Sequence, residues 1–235
     1  VNGITAGLAL RGMAVVAWAV PTPPASPAEA ERAGLREVLL QADLMRVNVG
    51  VFVLHAVQIM MWMAVPALLV SAGLGAERHW QVYLPAVFIS MLVMGGLLFR
   101  LERRGHFRPV YLGAIGLLVL VQLGFLLVLR SPTLATAAPL LCLFFLGFNT
   151  QEAGQPSLVS RLASPRQRGT ALGVYNTLMS LGIFCGGALG GLVVKAWGAS
   201  GIFLASTALL LLWLAVAWGM RAAAAPAAPT ASARS

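Results

Sequence analysis

Charge is scarce in this chain and acidic charge scarcest: Asp and Glu number seven among 235 residues, and all charged types make up 10%. A soluble domain keeps roughly a quarter of its residues charged to face water. That deficit, with a hydrophobic share of 59% and a mean hydropathy of +0.86, excludes a water-facing fold. Cysteine is nearly absent too. Cys142 and Cys185 fall inside apolar runs, where they serve as small hydrophobes rather than as a disulfide or metal pair. The three histidines, His55, His79 and His106, lie far apart, and there is no Ser/His/Asp set or phosphate-binding loop. Neither an enzyme nor a resident metal or cofactor is therefore expected.

What is present is a succession of apolar stretches: residues 3–20, 47–70, 82–99, 110–129, 134–159, 170–194 and 202–220. In lipid every backbone group must be paired within its own segment or in a closed barrel. Runs of roughly 20 residues suit helices, whereas a barrel strand needs only about 10. An all-α membrane protein follows. The first run is short and broken by Arg11, which makes it a poor signal peptide. Because the chain starts at Val1 without Met, residues 1–20 are expected to be the end of a preceding membrane helix of a longer parent. Residues 21–43, with Pro21, Pro23, Pro24 and Pro27 followed by mixed charges, form a solvated linker that ends in a short surface helix. Residues 44–221 form the helical bundle, and the Ala/Pro/Ser-rich residues 222–235 form a disordered tail.

The net charge of +9 is a topology signal and does not point to nucleic acid, because the basic residues sit in the short connections. One side collects twelve, at Arg32, Arg36, Arg46, Arg100, Arg103, Arg104, Arg108, Arg161, Arg166, Arg168, Arg221 and Arg234; the other holds Arg78, Arg130 and Lys195. The richer side is assigned to the cytoplasm. Six spans with both ends inside result, with the linker, the 100–108 loop, the 160–169 loop and the tail all cytoplasmic.

Polar residues at membrane depth mark the helices that line a cavity. The last span carries no ionisable group and the 110–129 span only Gln122, so both are expected to face lipid. The 47–70 span places Asn48, His55 and Trp62 at heptad spacing, with Gln58 three residues after His55, on one face. The 134–159 span is the most polar: Asn149, Thr150, Gln151, Glu152 and Gln155 fall within seven residues. Glu152 is the only acidic residue inside any apolar run. Pro156 removes the helical donor for the Glu152 carbonyl, and Gly154 loosens the turn, so a broken helix with a carboxylate at the break is expected. Glu152, His55, Gln58, Asn149 and Gln155 are the candidate substrate and proton pathway. Interhelical hydrogen bonding is an equal reading for Asn48, Gln58, Asn149 and Gln151, and a lone His on an apolar helix is more often a packing residue.

In the 170–194 span, Gly182, Gly186 and Gly190 recur every four residues, with Gly187 and Gly191 on the adjoining stripe. Both stripes are expected to let another helix backbone approach closely.

Several segments resemble a known family. Phe99-Arg-Leu-Glu-Arg-Arg-Gly-His-Phe-Arg108 resembles the second copy of the major facilitator superfamily loop motif, with Glu102, Arg103 and Gly105 on its acid, base and glycine positions. The Gly182–Gly191 stretch looks like the mirror-half counterpart of the Gly-rich antiporter motif, with Gly187 where that motif has proline. Phe148 to Tyr175, including Arg168-Gly-Thr-Ala-Leu-Gly-Val-Tyr175, and Arg46 to His55 are similar to the YajR-type group of bacterial drug-efflux-like permeases.

The resemblance covers residues 44–220 and implies a six-helix bundle forming the C-terminal half of a twelve-helix carrier in the bacterial inner membrane. It further implies alternating access, proton-coupled export of a small molecule, a gating loop of Glu102, Arg103, Gly105 and Arg168, and an N-terminal six-helix half as partner. A non-transporting sensor or assembly protein, and a half-size carrier that dimerises, remain open alternatives at this point.

Overall fold

A computed structural model describes residues 35–98, 100–101 and 104–220, together with 6–7, 10–13 and 18. Glu102, Arg103, most of residues 1–34 and the tail, with the expectations placed on them, therefore lie outside the described residues. Residues 10–13 are helical and belong to an N-terminal unit of residues 1–32. The rest is all-α: α1 Leu35–Leu40, α2 Ala42–Ser71, α3 Trp80–Val93 continued by a π-helical turn Met94–Leu98, α4 Phe107–Val128, α5 Leu134–Leu162 and α6 Arg168–Trp218. Among the described residues α2, α4, α5 and α6 are long and apolar enough to cross a membrane. α3 is shorter, and its π turn falls on the Gly95-Gly96 pair, a kind of site where helices commonly loosen.

The two apolar runs at 170–194 and 202–220 appear as one helix of 51 residues that bends at Gly198, φ 63° and ψ −158°. Only glycine adopts this backbone shape without strain. The contacts show that the bend is a reversal. Along the first half of α6, Gly182, Gly186 and Gly190 meet Phe52, Ala56 and Met60 of α2 in ascending order, so the two helices run parallel. Along the second half, Trp213 meets Gly50 and Gly219 meets Arg46, in descending order.

The same logic orders the other helices. Tyr111 and Phe125 of α4 pack on Trp213 and Phe203, antiparallel to the second half of α6. Gly124 and Gly147 place α4 antiparallel to α5 through Leu140 and Leu118. Among the described residues, α2, α4 and the first half of α6 thus run one way and α5 and the second half of α6 the other. One end gathers the basic side chains: Arg108 Nη2 donates to the Trp218 carbonyl (2.8 Å), Arg161 stacks over Phe107 (4.9 Å), Arg168 Nε donates to the Ser160 carbonyl (3.2 Å), and Gln41 Nε2 donates to the Leu162 carbonyl (3.1 Å).

Helices in lipid gain little from hydrophobic burial against one another and rely on close van der Waals contact and polar bonds. The glycine stripe supplies the contact. A Cβ on Gly182 would run into the Phe52 carbonyl, and one on Gly186 would sit 2.6 Å from the Ala56 carbonyl. The second stripe behaves differently from expectation: Gly187 meets only Ile59 Cγ2 at 3.9 Å and Gly191 meets nothing within 4 Å. It turns away from α2 because successive residues on a helix point 100° apart.

The two spans expected to face lipid do so on one side only. Leu120 and Leu127 of α4 and Leu211 and Leu212 of α6 are exposed, whereas Gln122 and Ser206 are fully buried on the packed faces. Composition registered the apolar side, but not that Gln122 and Ser206 turn inward.

Two stability outcomes follow. Gly186→Val forces α6 off the α2 backbone and is expected to cost roughly 1–3 kcal/mol, read as a lower unfolding midpoint in detergent, while Gly191→Ala leaves the midpoint unchanged. Gly198→Ala is expected to cost roughly 1–3 kcal/mol through its backbone conformation, against no loss for Gly173→Ala, whose Cβ meets nothing within 4 Å.

Candidate functional site

α5 stays α-helical from Leu134 to Leu162 through Gly154 and Pro156, so the expected break at the carboxylate does not occur. A proline removes one hydrogen bond, and close packing on α3 and α4 keeps the helix in register around the gap. Glu152 emerges from this continuous helix and meets His55 of α2, with Nε2 and Oε2 3.3 Å apart. The histidine side chain is 6% exposed and the glutamate 43%, so the pair sits at the boundary between the packed interior and the open face of the bundle.

The other ring nitrogen fixes the chemistry. His55 Nδ1 lies 3.0 Å from the Val51 carbonyl oxygen, which can only accept, so Nδ1 carries the hydrogen. In neutral imidazole Nε2 is then a bare acceptor. Facing an ionised carboxylate it would set two lone pairs against each other. A protonated imidazole would make this contact an ion pair, although Oε2 has no hydrogen-bond partner at this geometry among the described residues. Phe148, one turn before Glu152 on α5, closes one side with its ring edge-on to His55 at 5.9 Å and 72°. Sequence analysis missed Phe148, although its four-residue spacing from Glu152 placed it on that face.

The remaining candidates divide between glue and enclosure. Asn149 Nδ2 donates to Ser90 Oγ (2.9 Å), which donates to the Val87 carbonyl (2.7 Å), tying α5 to α3. Gln151 Nε2 donates to the Tyr111 carbonyl (2.7 Å), tying α5 to α4. Gln155 is fully buried, and its amide atoms have no partner among the described residues. Asn48 is buried one turn before Phe52, Gln58 is half-buried one turn after His55, and Trp62 reaches the exposed side, stacked edge-on against Tyr83 at 5.1 Å. The heptad face of α2 therefore runs from the packed interior out to the open face, with His55 between.

Of the expected gating loop, Glu102 and Arg103 lie outside the described residues. Gly105 takes φ 88°, which favours glycine and lets the loop turn sharply into α4. Arg168 begins α6 and holds the preceding loop through Ser160.

Comparison with known proteins bears on this arrangement. The sequence model of the Major Facilitator Superfamily matches residues 1–182 and 140–234. The chain is 31% identical over 218 residues to the inner membrane transport protein YajR of Escherichia coli K12, across 91% of this chain and 48% of that protein. It is 27% identical over 148 residues to the uncharacterized transporter BU466 of Buchnera aphidicola subsp. Acyrthosiphon pisum, across 63% of this chain and 37% of that protein. It thus spans about half the length of the first relative and less of the second. With long apolar helices passing back and forth and a family match along its length, this multi-span membrane chain belongs to the Major Facilitator Superfamily.

Proposed function

We propose that this chain is the C-terminal half of a secondary active transporter of the bacterial inner membrane, which exports a small molecule in exchange for protons by alternating access. Residues 1–20 end the preceding membrane helix, 21–43 form a cytoplasmic linker, 44–221 form the C-terminal six-helix bundle and 222–235 form a cytoplasmic tail. The observation that carries the reading is the His55–Glu152 contact at 3.3 Å, a proton-holding pair between the packed interior and the open face. A carboxyl group at membrane depth is a costly feature that carriers use for coupling.

Under this proposal His55, Glu152, Gln58, Asn149 and Gln155 line the substrate and proton pathway of this half. Cargo or water reaching the exposed part of Glu152 competes for the shared proton, so occupancy and protonation become linked. The N-terminal half supplies the opposing wall. The exposed apolar residues Leu84, Phe88 and Leu92 of α3 and the open side of α6 at Gly173 and Gly191 are surfaces suited to it. In the 100–108 loop, Glu102 meets the positive N-terminal end of a first-half helix, and the start of α6 at Arg168 receives the matching acid from that half. Arg103 and Gly105 shape the loop for this closure.

In proteoliposomes containing the intact protein, Glu152→Gln is expected to abolish proton-driven accumulation while leaving downhill exchange of the same compound. Normal proton-coupled export by this variant would exclude the role. Replacing Glu102 by Gln is expected to slow transport without lowering the amount of folded protein; an unchanged rate in a dye-efflux assay rules out the loop contact.

A further inference from the structure

A second feature lies on the far side of α5 from Glu152. A groove of about 400 Å³ is lined by His106 at its loop end, Val110, Gly113 and Leu117 of α4, and Leu146 and Gly147 of α5. On the 3.6-residue helix, Leu146, Gly147 and Thr150 point away from Asn149, Glu152 and Pro156. The groove thus belongs to a different surface from the proton pair. Its walls are almost wholly apolar, and glycine keeps it open: a Cβ on Gly113 meets nothing within 4 Å.

The groove's loop end is strongly basic. Leu101, which also lines the groove, follows Arg100, and His106 follows Arg104 by two residues; all three basic side chains are exposed. Arg100 and Arg104 have no ion-pair partner among the described residues. From Arg100 to Arg108 the chain carries four arginines against the single acid Glu102. Arg108 is engaged with the Trp218 carbonyl and holds the start of α4 against α6.

We propose that this groove is a binding site for an anionic phospholipid, with an acyl chain lying along Val110, Gly113 and Leu117 and the phosphate held by Arg100 and Arg104. Apolar walls in a membrane-spanning bundle select a hydrocarbon chain over polar cargo. Arg100 and Arg104, exposed and close in the chain to the lining residues Leu101 and His106, offer planar, charge-assisted donors for phosphate oxygens. Basic clusters at the ends of membrane helices attract anionic headgroups. The inference is independent of the His55–Glu152 reading, since neither residue touches the groove.

The test uses the purified, delipidated full-length protein, titrated with phosphatidylglycerol or with phosphatidylcholine of the same acyl chains and read by native mass spectrometry. Wild type is expected to retain phosphatidylglycerol preferentially. Arg100→Gln and Arg104→Gln are each expected to weaken that binding about fivefold and to leave phosphatidylcholine unaffected; both positions are exposed, so folding is not at issue. Gly113→Leu, which fills the groove, is expected to weaken retention of both lipids. Equal retention of the two lipids by wild type overturns the proposal, as does unchanged phosphatidylglycerol binding in the arginine variants. Full binding by a folded Gly113→Leu protein removes the groove as the seat of the chain.

Discussion

A polar group inside a bilayer has no water to turn to, and much of this bundle's arrangement follows from the need to find it a partner within the protein. The backbone meets that demand by helix formation, which is why residues 42–71, 107–128, 134–162 and 168–218 are helical with few interruptions. The side chains meet it across helices. Asn149 finds Ser90, Gln151 finds the Tyr111 carbonyl, and Glu152 finds His55. The first two satisfy neutral groups and hold α5 in place. The third differs in kind, because it brings together two side chains that can each gain or lose a proton.

Placement of that pair depends on α2. This helix is the most enclosed of the long ones, and Gly182 and Gly186 bring the first half of α6 against its backbone. Close approach on that side fixes the rotation of α2, and with it the direction in which His55 points. The reversal at Gly198 returns the chain so that Trp213 covers Gly50 and Gly219 lies beside Arg46. Glycine thus serves two separate ends in α6: small size where backbones touch, and an unusual φ where the helix turns back.

Much of this was legible in the sequence. Among the described residues the apolar runs located the long helices to within a few residues, since length and hydropathy directly reflect the thickness of hydrocarbon. The alternation of basic loops anticipated the end at which Arg46, Arg108, Arg161 and Arg168 collect. Glu152 stood out as a lone acid at depth. What could not be read was pairing, because sequence spacing defines a face of one helix but not which neighbour that face meets. His55 in isolation looked like a packing residue, and only the crossing of α2 and α5 joins it to Glu152. Pro156 misled for a related reason: local rules forecast a break, whereas tertiary packing holds α5 continuous. Gly187 and Gly191 shared the pattern of the packed glycines yet lie on the wrong side of the helix to touch α2.

The central claim is that His55 and Glu152 hold one proton between them, with Nδ1 committed to Val51. It is tested most directly by nitrogen-15 magnetic resonance of histidine-labelled protein in bilayers, with every other histidine of the intact protein, His79 and His106 among them, replaced by Asn so that His55 alone reports. The account predicts a protonated Nδ1 throughout and an Nε2 signal that shifts when Glu152 is replaced by Gln. An unprotonated Nδ1, or an Nε2 signal indifferent to that replacement, would contradict it.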